Sequence, residues 1–188
     1  MTATFRTSQP VLVDATVPHV VLVGLPGSGK TTVGEGAAKA LGRPFLDLDR
    51  EIERRQVTTI AQIFAERGEY QFRQYEQQLT EELRLSGGMI LSPGGGWITS
   101  PENVALLRPP ARIIYLRVKP ETALRRMGPE RATRPLLFRP DPLLELRKLL
   151  EARKRAYDSA DITVDTDFQS VQEVINKVCE FVRRDGGA

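Results

Sequence analysis

The sequence predicts a three-layer α/β/α fold built on a five-stranded parallel sheet. Two observations carry this prediction. From His19 onward, short apolar runs rich in β-branched residues alternate with longer segments of helical periodicity, the pattern of parallel strands joined by helical crossovers that cover both faces. The first of these runs also ends in a glycine turn that leads directly into a helical segment.

The elements follow in order. Val20-Val21-Leu22-Val23 reads as a buried strand, and a helix follows from Lys30 to about Leu41, with Gly42 as its stop. Phe45-Leu46-Asp47-Leu48-Asp49 is a second strand that ends in acids. Thr59 to Gln62 forms a capping box that starts a helix, and a longer helix covers roughly Tyr70 to Leu85. Met89-Ile90-Leu91 is a third strand, broken by Pro93-Gly94-Gly95-Gly96. Ser100-Pro101-Glu102 opens the next helix, with serine as cap and proline in the first turn. Arg112 to Val118 is the fourth strand and Pro120 to Met127 a helix. Gly128 to Pro140, rich in proline and arginine, reads as a mobile flap. Asp141 to Tyr157 is helical, Ile162-Thr163-Val164 is the fifth strand, and Ser170 starts a last amphipathic helix with Val171, Val174, Ile175, Val178 and Val182 on one face. The expected organisation is an N-terminal extension over 1–17 and one domain over 18–184. Within that domain, substrate-binding helices span about 48–85 and a lid spans about 128–140.

Composition narrows the function classes. A chain of 188 residues, 40% hydrophobic and 27% charged, can bury a core without metal or disulfide staples. The single cysteine, Cys179, excludes an internal disulfide and fits a reducing compartment. No apolar run is long enough to cross a bilayer, and Met1 to Pro10 lacks the apolar stretch of a secretory signal, so a cytoplasmic location is expected. The net charge of +3 comes with arginines gathered around residues 125–139, which suits small anionic substrates better than nucleic acid. Small-molecule partners are expected, with no nucleic acid, no membrane and a monomeric state.

Gly24-Leu25-Pro26-Gly27-Ser28-Gly29-Lys30-Thr31 fits G-x-x-x-x-G-K-[ST] without mismatch and lies between a predicted strand and a predicted helix. Glycines let backbone N–H groups turn inward around phosphate oxygens, at a helix N-terminus whose dipole favours anions. Lys30 is placed to reach the outer phosphates, and the Thr31 hydroxyl to bind Mg²⁺. The loop alone indicates a nucleotide and not a reaction, since GTPases, motor ATPases and small-molecule kinases share it. Asp47 and Asp49, at i and i+2 at the carboxyl end of a parallel strand, are expected to point together into the ligand crevice. An alternative role for Asp49 is to cap the segment Arg50 to Arg55. Arg73, taken alone, reads as a solvated helix residue paired with Glu69 or Glu76.

Beyond the loop, further segments stand in a fixed order: Leu46-Asp47-Leu48-Asp49, Ile63-Phe64-Ala65-Glu66-Arg67-Gly68-Glu69, Phe72-Arg73-Gln74-Tyr75-Glu76, Gly94-Gly95-Gly96, Arg134-Pro135-Leu136-Leu137, and Arg153 with Tyr157. In that order and spacing the chain resembles the shikimate kinases, from about His19 to Val182. The resemblance implies a P-loop kinase fold with a mobile lid, and ATP-dependent phosphorylation of shikimate to shikimate 3-phosphate in aromatic amino acid biosynthesis, with Mg²⁺. It implies Asp49 as the acid that hydrogen-bonds the attacked hydroxyl, Asp47 as a ligand of Mg²⁺ through water, and Arg73 and Arg153 as the grip on the shikimate carboxylate. Glu76 then orients Arg73. Gly94, Gly95 and Gly96 approach the substrate ring, and Arg134 closes on the phosphates. Gly27, Ser28, Gly29, Lys30, Thr31 and Thr32 hold the nucleotide, with Arg126 and Gln169 beside adenine. The chain departs from the family pattern in three places, one of them Pro93, which precedes the glycines where a proline is not typical and stiffens the turn. The chain is also one residue short between Tyr157 and Asp161, which makes Arg155 the alternative to Arg153, and one residue long ahead of Arg134. A kinase for gluconate or a nucleoside monophosphate, and a non-catalytic nucleotide-binding module, are the competing readings. His19 and Cys179 read as structural. For Trp97, both pocket lining and core packing are open.

Overall fold

The structure, a computed structural model, describes residues 16–128 and 140–185. Arg134 and all of the flap between Gly128 and Pro140, and all but the last two positions of the 1–17 extension, lie outside the described residues. The sheet is five-stranded and parallel, in the order β2-β3-β1-β4-β5. Its strands are β1 (Val20–Val23), β2 (Phe45–Asp47), β3 (Ile90–Ser92), β4 (Arg112–Arg117) and β5 (Ile162–Asp165). The helices are α1 (Lys30–Leu41), α2 (Leu48–Gln56), α3 (Ile60–Leu83), α4 (Pro101–Leu107), α5 (Pro120–Met127), α6 (Pro142–Asp158) and α7 (Val171–Asp185).

Both faces of the sheet are covered, which is why the central strand is apolar at every position. Val20 and Leu22 pack with Ala37 and Ala38 of α1 and with Val174, Val178 and Val182 of α7. Val21 and Val23 point the other way, into a larger core with Ile52, Ile63, Phe72, Leu79, Trp97, Leu146 and Tyr157. The chain leaves β1 first toward β3 and β2, then returns to β4 and β5. The carboxyl end of β1 is therefore the switch point where ligands bind in such sheets.

Local chemistry sets the element boundaries. Thr59 accepts a hydrogen bond from Gln62 N while Gln62 accepts from Thr59 N, the expected capping box. The two helices predicted after it are both present within α3; they follow each other without a loop and meet at Gly68 (φ 79°, ψ 169°), a non-helical backbone state open to glycine and costly for other residues. The second strand is shorter than expected. Asp47 Oδ1 accepts from Arg50 N at 3.2 Å and caps α2, so the chain becomes helical at Leu48. Asp49 thus sits in the first helical turn and not on the strand, and the capping role weighed for Asp49 belongs to Asp47.

His19 ties three elements together. Its Nδ1 accepts from Met89 N at 3.2 Å, which leaves Nε2 to donate to Leu83 O at 3.0 Å. Burial pushes its pKa down, so the neutral ring serves as a structural pin. Cys179 is a free, buried thiol against α1, and burial raises its pKa. Among the described residues, no helix is long and apolar enough to cross a membrane.

Candidate active site

The loop between β1 and α1 takes the form its sequence requires. Gly27 (φ 79°) and Gly29 (φ 93°) are left-handed, where a side chain would be strained. Most other helices have a side-chain cap, including Asp47, Thr59, Ser100 and Asp141 for α2, α3, α4 and α6. At α1 the cap is Gly29, with no side-chain hydrogen bond and no acid in the first turn. Its first N–H groups and the positive end of its dipole therefore face the cleft. Lys30 Nζ spans the loop, donating to Gly24 O at 3.0 Å and Leu25 O at 3.1 Å.

Next to the loop, Thr31 Oγ1 donates to Asp47 Oδ2 at 2.9 Å. This pair suits Mg²⁺, a cation that takes one or two protein oxygens and completes its octahedron with water and phosphate. Among the described residues there is no group of three or more His, Cys, Asp or Glu that could hold a metal by itself. That donor set fits a metal that arrives with a nucleotide.

The glycine turn after β3 brings three distant side chains to one place. A Cβ built on Gly94 would fall 2.7 Å from Asp49 Oδ1. On Gly95 it would fall 2.7 Å from Arg153 Nη1, and on Gly96 2.6 Å from Arg73 Nη2. None of the three has a positive φ, so what glycine supplies here is room for the tips of these three side chains, and not a special backbone conformation. Asp49 comes from α2, Arg73 from α3 and Arg153 from α6. Arg153 is buried at 8% exposure, whereas Arg155 faces solvent on the far side of α6. The helical phase thus turns Arg153 inward beside Tyr157, whose ring stacks on Tyr115 at 4.5 Å.

Glu76 holds this group from below. Its side chain is fully buried, and Oε2 accepts from Arg73 Nη1 at 2.9 Å. Glu69, exposed, accepts from Arg73 Nη2 at 2.9 Å. The other oxygen of Glu76, Oε1, has no hydrogen-bond partner among the described residues. Burial pushes the Glu76 carboxyl up to about 7, despite the downward pull of Arg73, and the Asp49 charge adds to the rise. Desolvation outweighs the ion pair, as expected where one charge lies wholly out of water.

On the opposite side of the loop, Arg126 Nη1 donates to Thr166 Oγ1 at 3.0 Å and Nη2 to the Thr166 carbonyl. Gln169 lies beside them, with a buried Oε1 that has no partner among the described residues. A cleft of about 420 Å³ runs from these residues along Gly27 to Thr32 to Asp47, Asp49, Gly94 and Gly95. The geometry therefore gathers the expected residues within the described part of the chain, with Arg73, Gly96 and Arg153 behind Gly94 and Gly95. Trp97 is in the core and does not line the cleft. Sequence reasoning missed Thr166 as the anchor of Arg126, and Thr80, which pairs with Trp97. A hydroxyl on the apolar face of a predicted helix was the available signal for Thr80.

Fold and cleft together define a P-loop nucleotide-binding protein of the small-molecule kinase type. A model of the shikimate kinase family matches residues 26–183. The chain belongs to the shikimate kinase family. It is 40% identical over 168 residues to a shikimate kinase of Desulforudis audaxviator, covering 89% of this chain and 88% of that one. A shikimate kinase of Burkholderia thailandensis is 42% identical over 164 residues, covering 86% and 89%. Among solved structures, shikimate kinase from Acinetobacter baumannii in complex with shikimate superposes with a TM-score of 0.84 at 37% identity, covering 89% of this chain and 94% of that one. A gluconokinase from Sinorhizobium meliloti, at 20% identity and a TM-score of 0.55 over 90% of this chain and 93% of that one, shares the fold alone.

Proposed function

We propose that the chain transfers the γ-phosphoryl group of ATP to a hydroxyl of shikimate, giving shikimate 3-phosphate and ADP. The observation that carries this reading is the packing of Asp49, Arg153 and Arg73 against three consecutive glycines beside the phosphate loop. Such a site offers one acid for a hydroxyl and two guanidiniums for a carboxylate, which is the polar outline of shikimate.

In this reading Arg73 and Arg153 hold the acceptor carboxylate, and Asp49 accepts the hydroxyl proton as its oxygen attacks the γ-phosphorus. The bond from that phosphorus to the bridging oxygen breaks, and ADP leaves with the electron pair. Lys30 moves its donors from loop carbonyls to phosphate oxygens and stabilises the charge that develops there. Thr31 and Asp47 would hold Mg²⁺, which neutralises phosphate charge when bound. Arg126 and Gln169 flank the adenine ring, and Thr32 extends the phosphate contacts of α1. Arg134, outside the described residues, is assigned to the lid that closes over the phosphates and excludes water.

The test is ADP release from Mg·ATP with shikimate, with gluconate and with a nucleoside monophosphate. Release with shikimate alone is expected. Release with another acceptor, and none with shikimate, overturns the reading.

A further inference from the structure

Trp97, the one tryptophan of the chain, is 0% exposed and follows directly on Gly96, whose backbone packs against the Arg73 guanidinium. Its Nε1–H donates to Thr80 Oγ1 at 3.0 Å. The Thr80 hydroxyl in turn donates to the Glu76 carbonyl at 2.7 Å. A hydroxyl has one proton and two acceptor sites, so both roles are filled in one fixed direction. Thr80 lies four residues beyond Glu76 and seven beyond Arg73, on the same face of α3. Two buried hydrogen bonds therefore join the glycine turn to the stretch of helix that presents Arg73.

We infer that Trp97 and Thr80 are positioning residues, which set the height of the glycine turn against Arg73 and so the geometry of the acceptor-carboxylate clamp. The inference rests on the reading of Arg73 given above. A turn of three glycines has little stiffness of its own, because it has no side chains to pack. Its position must be imposed by a neighbour, and the first side chain after it is the buried, hydrogen-bonded indole. Small displacements matter here, since the Gly96 Cα has no spare room beside the Arg73 guanidinium.

The test compares Thr80→Val with Thr80→Ser. Valine keeps the volume but leaves the buried indole N–H without an acceptor, while serine keeps the hydroxyl. In Thr80→Val the shikimate KM is expected to rise about tenfold, with the ATP KM within about twofold of the parent. In Thr80→Ser the shikimate KM returns to within about twofold of the parent. The second readout needs no acceptor: the Arg73 Nε–Hε resonance, identified by its loss in Arg73→Lys, is expected to shift in Thr80→Val and not in Thr80→Ser. A Thr80→Val protein that only melts earlier, with shikimate KM unmoved, reduces the pair to core packing and overturns the inference. A parent that releases no ADP with shikimate sinks the functional reading instead, and the Arg73 resonance then decides the positioning role by itself.

Discussion

Arg73 Nη1 donates a 2.9 Å hydrogen bond to Glu76 Oε2, and the carboxylate that receives it has no surface in water. With its carboxyl pushed up to about 7 by burial, Glu76 changes charge within the working pH range. A further carboxylate brought to Arg73, beside those of Glu76 and Glu69, should raise that pKa, so acceptor binding is expected to take up protons. Calorimetry near pH 7 in buffers of different ionisation enthalpy should register net uptake, and shikimate affinity should weaken as pH rises through about 7. Glu76→Gln should abolish the uptake; equal uptake in parent and variant would disprove it.

The same residue links pH to stability. Its folded pKa lies above the unfolded value of 4.5, so the Glu76 contribution is complete below 4.5 and is lost as pH rises through about 7. Denaturant titrations should show this decline in the parent and a flatter profile in Glu76→Gln. A decline of equal slope in both would assign it to other groups.

Asp49→Asn is expected to lower kcat by about 10²–10⁴-fold, the usual range for a lost proton acceptor, with little change in ATP KM. Because Asp47, and not Asp49, caps α2, the variant should melt close to the parent. Asp47→Ala, which removes the cap, should cost about 1 kcal/mol of stability. A kcat loss below about tenfold in Asp49→Asn would remove Asp49 from the proton step.

Arg153→Ala should weaken shikimate binding by about 1.5–3 kcal/mol, the typical worth of a hydrogen bond to a charged group, with ADP affinity unchanged. Arg155→Ala, at an exposed position of α6, should bind shikimate like the parent. Titration calorimetry decides, and the reverse pattern would move the clamp to Arg155.

Gly96→Ala places a methyl where Arg73 Nη2 would lie 2.6 Å away. The guanidinium must move, so shikimate KM should rise while the ATP KM holds. Equal changes in both would point to general distortion at the carboxyl end of β3.

The parts that were legible in the sequence are those whose chemistry is local. Phosphate binding fixes the spacing of Gly24 to Thr31 within one turn, and a helix cap fixes Thr59 against Gln62. The boundary between β2 and α2 was not legible, because Asp47 and Asp49 are both acids and only the bond to Arg50 N selects the cap. Arg153 and Arg155 could not be separated by composition. They differ in helical phase, with Leu146, Arg153 and Tyr157 sharing the buried face. The glycine turn was visible, but its steric reason was not, since the groups that crowd it come from α2, α3 and α6. Thr80 gave the weakest signal, because its partner is 17 residues away and its hydroxyl suits any helix interior.

The dry indole of Trp97 has an optical consequence. It is the chain's one tryptophan, and it is held next to the residue that packs on Arg73. Its emission in the native protein is that of a chromophore shielded from water, and unfolding must carry it to the red. Any shift of the glycine turn when an acceptor is seated changes the surroundings of the same ring. With Arg73 and Arg153 in the role proposed above, the unlabelled protein would carry its own reporter for occupation of the acceptor site.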